Sequence, residues 1–494
     1  MLYNVRACSR QKLVIIVNLN FYSGEKMKQI FKNALYLFVS NVAIRFFSAL
    51  ATILVARYLG ARDYGILGVA ISLSAIAGYF TDLGLIHTLI REGTKSKANI
   101  ELLMSSFLKV RVILSVFSFV IFIIIIEFLY DNSYFKLVLY LVVIPSIAGG
   151  ALQGLGIGYF QLIEEMKYIA YIRGLTGLLT SMALLLGMLL KWSLIFLAGI
   201  YGCSNLFTGI LSLIMVMRRI NIFSGWNKKI LDGLWQFMIV GFISILLPQL
   251  GPIVLEKTSN LHEVGVYTAA YRIPSVLYQI PGIVAAAFYP VLFKHGNAND
   301  LKEHTKLNVL QVKVMIVIAI LVTLPFILQS KWWVRLLFGN GWNDAIIPLI
   351  VLSFIVILQS INYPLADSLT TLGLQKYRTL ILLISLIIGT TLFFVLGEKE
   401  GAIGGAISAV LIEVITLIGL LYFNPKGLYI IRKSVTGNIM IVSIILLINF
   451  LLTRIILNPI INIISILLIY LFMLLLVDKD IRSFVLMFSN KFKN

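Results

Sequence analysis

The chain has 494 residues, of which 60% are hydrophobic and 13% charged, with a net charge of +20. Its mean hydropathy is +0.98, whereas soluble domains hold about 45–50% apolar and about 25% charged residues. A single soluble core is therefore excluded, and so is a nucleic-acid-binding reading of the charge, because the basic residues are scattered among short loops and form no patch.

A membrane crossing takes about 20 mostly apolar residues, and only helices and closed barrels satisfy the backbone in hydrocarbon. Unbroken apolar runs such as Val112–Ile126 and Ile439–Leu452 favour helices over the alternating strands of a barrel. The expected fold is an all-α polytopic membrane protein with about fourteen transmembrane helices. In chain order the spans are 34–57, 64–90, 112–130, 135–156, 174–190 and 193–217, then 235–256, 264–293, 309–329, 345–368, 379–397 and 401–423, then 435–453 and 457–477. The eighth carries Pro274, Pro281 and Pro290 and is expected to kink. The segment Gln329–Ala345 is the longest loop on its side, and its Trp332, Trp333 and Trp342 suit a membrane interface.

Thirty of the 41 lysines and arginines fall in the termini and in alternate loops, against nine in the opposite loops. By the positive-inside bias, both termini are cytoplasmic. The expected organisation is a cytoplasmic segment 1–33, a first lobe of six helices (34–217), a cytoplasmic linker (218–234) and a second six-helix lobe (235–423). Two additional helices (424–477) and a cytoplasmic tail (478–494) complete it. The halves echo one another at an offset of 200, with Arg57, Asp63, Gly65 and Ala70 answered by Lys257, Glu263, Gly265 and Ala270. Transporters are often built from such repeats, with the substrate site between them.

Ionisable groups inside spans cost about 2.5–3.5 kcal/mol each on insertion scales and normally face a bundle interior or a wet cavity. Asn41, Arg45, Ser48 and Thr52 form one polar stripe on the first span. Ser72, Ala75, Tyr79 and Asp82 line up on the second, Gln249 and Glu256 lie on the seventh, and Arg272, Ser275, Gln279 and Gly282 on the eighth. Gln359, Asn362 or Tyr363, and Asp367 follow on the tenth, with Glu413 on the twelfth. The functional reading is a hydrated cleft in which Arg45 and Arg272, with Asn41, Ser48 and Gln279, contact an anionic substrate. Arginine suits phosphate because its planar fork donates two parallel hydrogen bonds. Asp82, Asp367 and Glu413 are the candidates for ion coupling. The structural alternative is ion pairing between helices, such as Arg45 with Asp82.

Weaker signals point to packing. The glycines Gly149, Gly150, Gly154, Gly156 and Gly158 lie in an apolar segment with no following Lys-Ser or Lys-Thr, so they read as close helix contacts and not as a phosphate cradle. Glu164-Glu165 sits in a short turn. Cys8 and Cys203 are far apart, and the four histidines lack ligand spacing, so neither a disulfide framework nor a metal site is expected, and no cofactor is implied. No nucleophile–base constellation can be read.

The phrases ILVARYLGARDYGILGVAISL (53–73), FTDLGL (80–85) and LIRE (89–92) resemble the start of bacterial polysaccharide repeat-unit flippases. EVGVYTAAYRIPSVLYQIP (263–281), FYPVLF (288–293) and LFGNGWNDAIIPLIVLSF (337–354) extend the likeness over nearly all of the chain. The resemblance implies the multidrug, oligosaccharidyl-lipid and polysaccharide exporter superfamily, with two six-helix lobes around a central cavity and two extra helices. It implies an undecaprenyl-diphosphate-linked oligosaccharide as substrate, turned from the cytoplasmic to the periplasmic leaflet of the bacterial inner membrane for O-antigen or capsule assembly. It also implies alternating access, no catalytic residue, and, as partners, membrane lipids and possible polymerase and chain-length-regulator proteins, with no nucleic acid. The charged cavity residues it implies are placed on Arg45, Asp82 and Arg272. A drug–cation antiporter of the same fold would want an acidic or aromatic cavity, and a peptidoglycan-precursor flippase a cationic one. A membrane enzyme of surface-glycan assembly would show a large external loop or paired external acids, where the first external turn here holds only Asp63.

Leu13–Tyr22 is too short to span, and Met27 opens a plain basic lead into the first span. Translation is expected to start at Met27, so mass spectrometry of the intact N-terminus should find a chain beginning there and not at Met1.

Overall fold

The computed structural model describes residues 25–95, 98–232, 234–455, 458–478 and 481–482, with side chains described from Ile44 on, Arg45 and a few later positions excepted. Residues 1–24, the side chains of Asn41 and Arg45, and most of the tail lie outside what is described.

The described residues form helices and no strands. They are α1 (Glu25–Phe80), α2 (Leu85–Gly93), α3 (Ile100–Leu129), α4 (Ser133–Leu162), α5 (Met166–Leu189) and α6 (Leu194–Met217) in the first half. The second half has α7 (Leu234–Thr258), α8 (Leu261–Leu277), α9 (Gln279–Asn297), α10 (Leu301–Leu328), α11 (Ser330–Leu337), α12 (Ile346–Thr371) and α13 (Gln375–Phe423). α14 (Gly427–Ile455) and α15 (Pro459–Val477) follow. Short polar caps set many of the starts. Asn99, Asn132, Asn260, Asp300 and Asn458 each accept a hydrogen bond from a backbone N–H of the first turn, at 3.0–3.2 Å, filling donors that a helix start leaves open.

Eleven stretches among the described residues are long and apolar enough to cross a membrane. Two of them hold a reversal between consecutive spans. Gly60 (φ 77°) turns the chain inside α1, and Gly401 (φ 52°) does so inside α13, a backbone state that glycine adopts without a Cβ penalty. The expected eighth span is two helices, α8 and α9, that meet at Tyr278. Pro281 has no N–H to offer the Leu277 carbonyl, so the ladder breaks there. With these turns counted, the described helices follow the fourteen expected spans. The third begins earlier than expected, at Ile100 and not near 112. Leu103, Met104 and Phe107 are buried in its added turns, so this stretch belongs to the helix core.

The two lobes share one apolar core at one end, while at the other their cores part and contact narrows, α1 meeting α7 where Phe80 packs edge-on against Phe242 at 5.7 Å. A single buried cluster joins Ile53–Ala77 of α1 to the Gly60-end halves of α3, α4, α7, α8, α12 and α13. At the opposite, basic end the cores part. One cluster there belongs to the first lobe (Leu85 to Ile230) and another to the second lobe with α14 and α15 (Val309 to Ile481).

The fusion rests on glycine. A Cβ added to Gly65 would collide with the carbonyl oxygen of Leu261 and approach the Gly265 nitrogen, and one added to Gly265 would collide with the Ala61 carbonyl. The contact is reciprocal at the same offset of 200 that the sequence shows. Trp342, almost fully buried, meets Tyr64 edge-on at 6.2 Å and covers the seam.

Two polar anchors hold the rest. Arg111, buried in α3, pairs with Asp82 at 2.8 Å and reaches Thr81 and the Gly150 carbonyl at 3.4 Å, tying α1 to α3 and α4. Lys313 of α10 pairs with Asp478 at the end of α15 at 2.8 Å, and Tyr470 donates to Asn438 at 2.9 Å between α15 and α14.

Two outcomes follow from these contacts. Arg111→Met leaves the half-buried Asp82 without its cation and should cost up to about 3 kcal/mol, read as a lower unfolding temperature in detergent, with Asp82→Asn in the same chain recovering part of the loss. Gly265→Leu should force α1 and α8 apart at a cost of about 1–3 kcal/mol and raise maleimide labelling of a cysteine placed at Thr268, which lies one turn further along the seam.

Candidate functional site

Two chambers lie between and within the lobes at the depth of the helix middles. The first, about 370 Å³, lies between α1 of the first lobe and α7 and α8 of the second. Its walls include Ser48, Thr52, Tyr64, Gln249, Arg272 and Ser275. The second, about 350 Å³, lies within the second lobe, among α7, α8, α12 and α13. Gln359, Asn362, Tyr363, Arg378 and Glu413 line it. Pro248, Tyr271 and Tyr278 border both. Tyr278 stands at the α8–α9 break, and Pro248 and Pro252 lie within α7 beside the chambers.

Arg272 is the centre of the inter-lobe chamber. Its Nε donates to Thr52 Oγ1 at 2.8 Å and its Nη2 to Ser48 Oγ at 3.1 Å. Both acceptors belong to the polar stripe read on the first span, and both come from the other lobe. Thr52 in turn donates to the Ser48 and Ala49 carbonyls of its own helix, at 2.8 and 2.9 Å. Among the described residues no carboxylate lies within ion-pair distance of Arg272, whereas the buried cations Arg111 and Lys313 each have one; Arg378, half-buried at the second chamber, likewise has none and donates to Thr370 Oγ1 at 3.2 Å. The described partners of the half-buried Arg272 guanidinium are thus neutral hydroxyls.

The other expected site residues separate. Ser48 joins Arg272. Gln279 begins α9 and donates to the Ser275 carbonyl at 3.4 Å, next to Tyr278 but outside either chamber wall. Asp82 lies away from the chambers, in the ion pair with Arg111. Asp367 accepts from Gln311 Nε2 at 3.1 Å, facing α10. Glu413 lines the second chamber. Gln359 donates to its Oε1 at 2.9 Å and Asn362 to its Oε2 at 2.8 Å. Asn41 and Arg45 have no described side chains, so the expected pairing of Arg45 with Asp82 lies outside the described residues, while Asp82 itself is paired with Arg111.

Sequence reasoning missed Arg111, which a loop boundary drawn at 112 left outside the helix. It also missed Arg378, counted only as a loop charge, and the tyrosines Tyr267 and Tyr271 of α8. The spacing of Tyr267, Tyr271 and Tyr278 at four and seven residues on one helical face was the available signal.

The structure is similar to a solved structure of the lipid II flippase MurJ in an inward closed conformation, with a TM-score of 0.71 at 16% identity, covering 90% of this chain and 99% of that one. It is similar to an inward-facing multidrug-resistance MATE family transporter of the MOP superfamily, with a TM-score of 0.68, 16% identity, and 81% and 99% of the two chains covered. An outward-facing MATE transporter gives a TM-score of 0.57 at 17% identity over 85% and 99% of the chains. These likenesses establish the fold: two six-helix lobes around a central cavity, with two further helices. No curated protein sequence matches. The sequence profile of a family described as polysaccharide biosynthesis protein matches residues 30–296, more than half of the chain. The chain belongs to that polysaccharide biosynthesis protein family.

Proposed function

We propose that this protein carries an undecaprenyl-diphosphate-linked oligosaccharide repeat unit from the cytoplasmic to the periplasmic leaflet, for O-antigen, capsule or exopolysaccharide assembly. The observation that carries the reading is Arg272, a cation between the lobes whose described partners are two neutral hydroxyls. A diphosphate-linked glycan cannot enter hydrocarbon without losing its hydration. A guanidinium between the lobes replaces that hydration at the phosphates, while the lipid tail stays in the bilayer.

The membrane is the bacterial cytoplasmic membrane, crossed many times, with both termini inside, as the lysine and arginine bias favours. The basic end where the cores part then faces the cytoplasm, and the Gly65–Gly265 seam closes the periplasmic end. Alternating access exchanges the two: the glycine seam opens while the basic ends approach. Tyr79, which donates to the Met238 carbonyl at 2.7 Å across the lobes near the basic end, is a contact on which that closure can build. A polymerase and a chain-length regulator are the partners that would receive the flipped unit. No step of this cycle breaks or makes a covalent bond, so the protein is not an enzyme on this reading.

Ion coupling falls to Glu413 and Asp367. Neither has a cation at ion-pair distance among the described residues, whereas Asp82 is neutralised by Arg111. A second reading, an antiporter of organic cations, draws support from the same Glu413 and the tyrosines around it.

Complementation of a flippase deletion in the protein's own glycan cluster tests the proposal. The wild type should restore surface glycan. Arg272→Ala should reduce it by at least tenfold, since a hydrogen-bonded charge is lost from the phosphate site, and Arg272→Lys should restore part. Glu413→Gln should leave the protein assembled but slow export. Full export by Arg272→Ala, or resistance to cationic dyes without any glycan phenotype, would favour the antiporter.

A further inference from the structure

The second-lobe chamber carries more aromatic and amide side chains in its walls than the inter-lobe one. Tyr271, Tyr278, Tyr363 and Phe393 supply aromatic surface, Gln359 and Asn362 supply amides, and Arg378, which donates to Thr370 Oγ1 at 3.2 Å, supplies a guanidinium. Its volume, about 350 Å³, falls in the range of about 300–1,000 Å³ found for small-molecule sites. The two amides are oriented by Glu413, because an ionised carboxylate only accepts and so draws the N–H side of each. That leaves Gln359 Oε1 and Asn362 Oδ1 buried with no hydrogen-bond partner, and Asn362 is only 6% exposed. Buried acceptors of this kind lower the free energy of any ligand that brings donors to them.

We propose that this chamber is a saccharide subsite, taking one or two sugars of the lipid-linked glycan while Arg272 holds the diphosphate next door; it rests on the function proposed above. Sugars have the two properties the walls answer. Their hydroxyls donate to orphaned carbonyl oxygens, and their C–H faces pack on aromatic rings, whose faces are electron-rich. The order of the chambers fits the order of bonds in the substrate. In a glycosyl diphosphate the first sugar is attached directly to the phosphate, so its site must adjoin the phosphate site. Here the two chambers share Pro248, Tyr271 and Tyr278 as a common wall. Glu413 sits behind the same amides, so loading it with a proton or cation would release them and change sugar affinity, which gives the coupling acid a direct hold on the substrate.

Binding to the purified full chain in nanodiscs tests this with three probes: undecaprenyl diphosphate, the lipid-linked repeat unit extracted from the producing cells, and rhodamine 6G. The sugar-bearing lipid should bind more tightly than undecaprenyl diphosphate. Tyr363→Ala should weaken the sugar-bearing lipid about tenfold, the loss expected of one aromatic anchor, and leave undecaprenyl diphosphate unchanged, which also reports that the variant is folded. Tyr363→Phe should restore binding, and Arg272→Ala should weaken both lipids. Equal weakening of both lipids by Tyr363→Ala, or of neither, overturns the subsite, as does a Tyr363-dependent affinity for rhodamine 6G without one for the sugar. Arg272-dependent binding of undecaprenyl diphosphate with no gain from the sugars overturns the subsite alone and leaves the transport reading standing. Binding of neither lipid overturns the transport reading first, and the subsite with it.

Discussion

Two helices from different lobes cross with backbone against backbone, and the rest of the architecture depends on that approach. Gly65 and Gly265 each lie where a side chain would strike the opposite main chain. In a bilayer no hydrophobic gain favours helix association over contact with lipid, so close packing must supply the attraction. The closeness at one end and the splitting of the apolar cores at the other leave a wedge between the lobes. The inter-lobe chamber occupies that wedge. A cavity of this kind needs no special scaffold beyond two similar bundles joined at one edge.

Within that frame, the buried cations divide by what meets them. Arg111 and Lys313 each face a carboxylate, Asp82 and Asp478, and so serve as fasteners between helices. Arg272 faces Ser48 and Thr52, neutral groups from the opposite lobe. Removing a charge from water is costly, and a carboxylate partner compensates for it permanently. A hydroxyl pair compensates only in part, which leaves the guanidinium able to exchange its neighbours for an anion. Because its two hydroxyl partners come from the other lobe, any ligand that takes them over also acts on the lobe interface. On the proposed reading, substrate occupancy and lobe movement would be linked through that one side chain.

The chain's helical membrane fold was legible because it rests on local and one-dimensional properties. Length of apolar run, loop charge and the prolines of the eighth span are read in order along the sequence. The polar stripe of Ser48 and Thr52 was legible for the same reason, since helical spacing places both on one face. The offset of 200 between Gly65 and Gly265 was visible too, although nothing in the sequence said that the matching positions touch each other. The break at Tyr278 was half legible: the prolines announced a kink, but not that the residue at the kink would border two chambers.

Sequence by itself determined that the chain is a bundle of membrane helices with arginine and acids among them, because insertion into hydrocarbon is decided helix by helix. Only the tertiary structure decided which charges are matched. Asp82 met Arg111, a residue nearly thirty positions away on a helix whose start lay earlier than its hydropathy suggested. Glu413 met the amides of Gln359 and Asn362, and Arg272 met the hydroxyls of the other lobe. Whether a buried charge fastens or binds depends on what stands within a few ångströms of it across a helix interface, and periodicity along one helix carries no information about that distance.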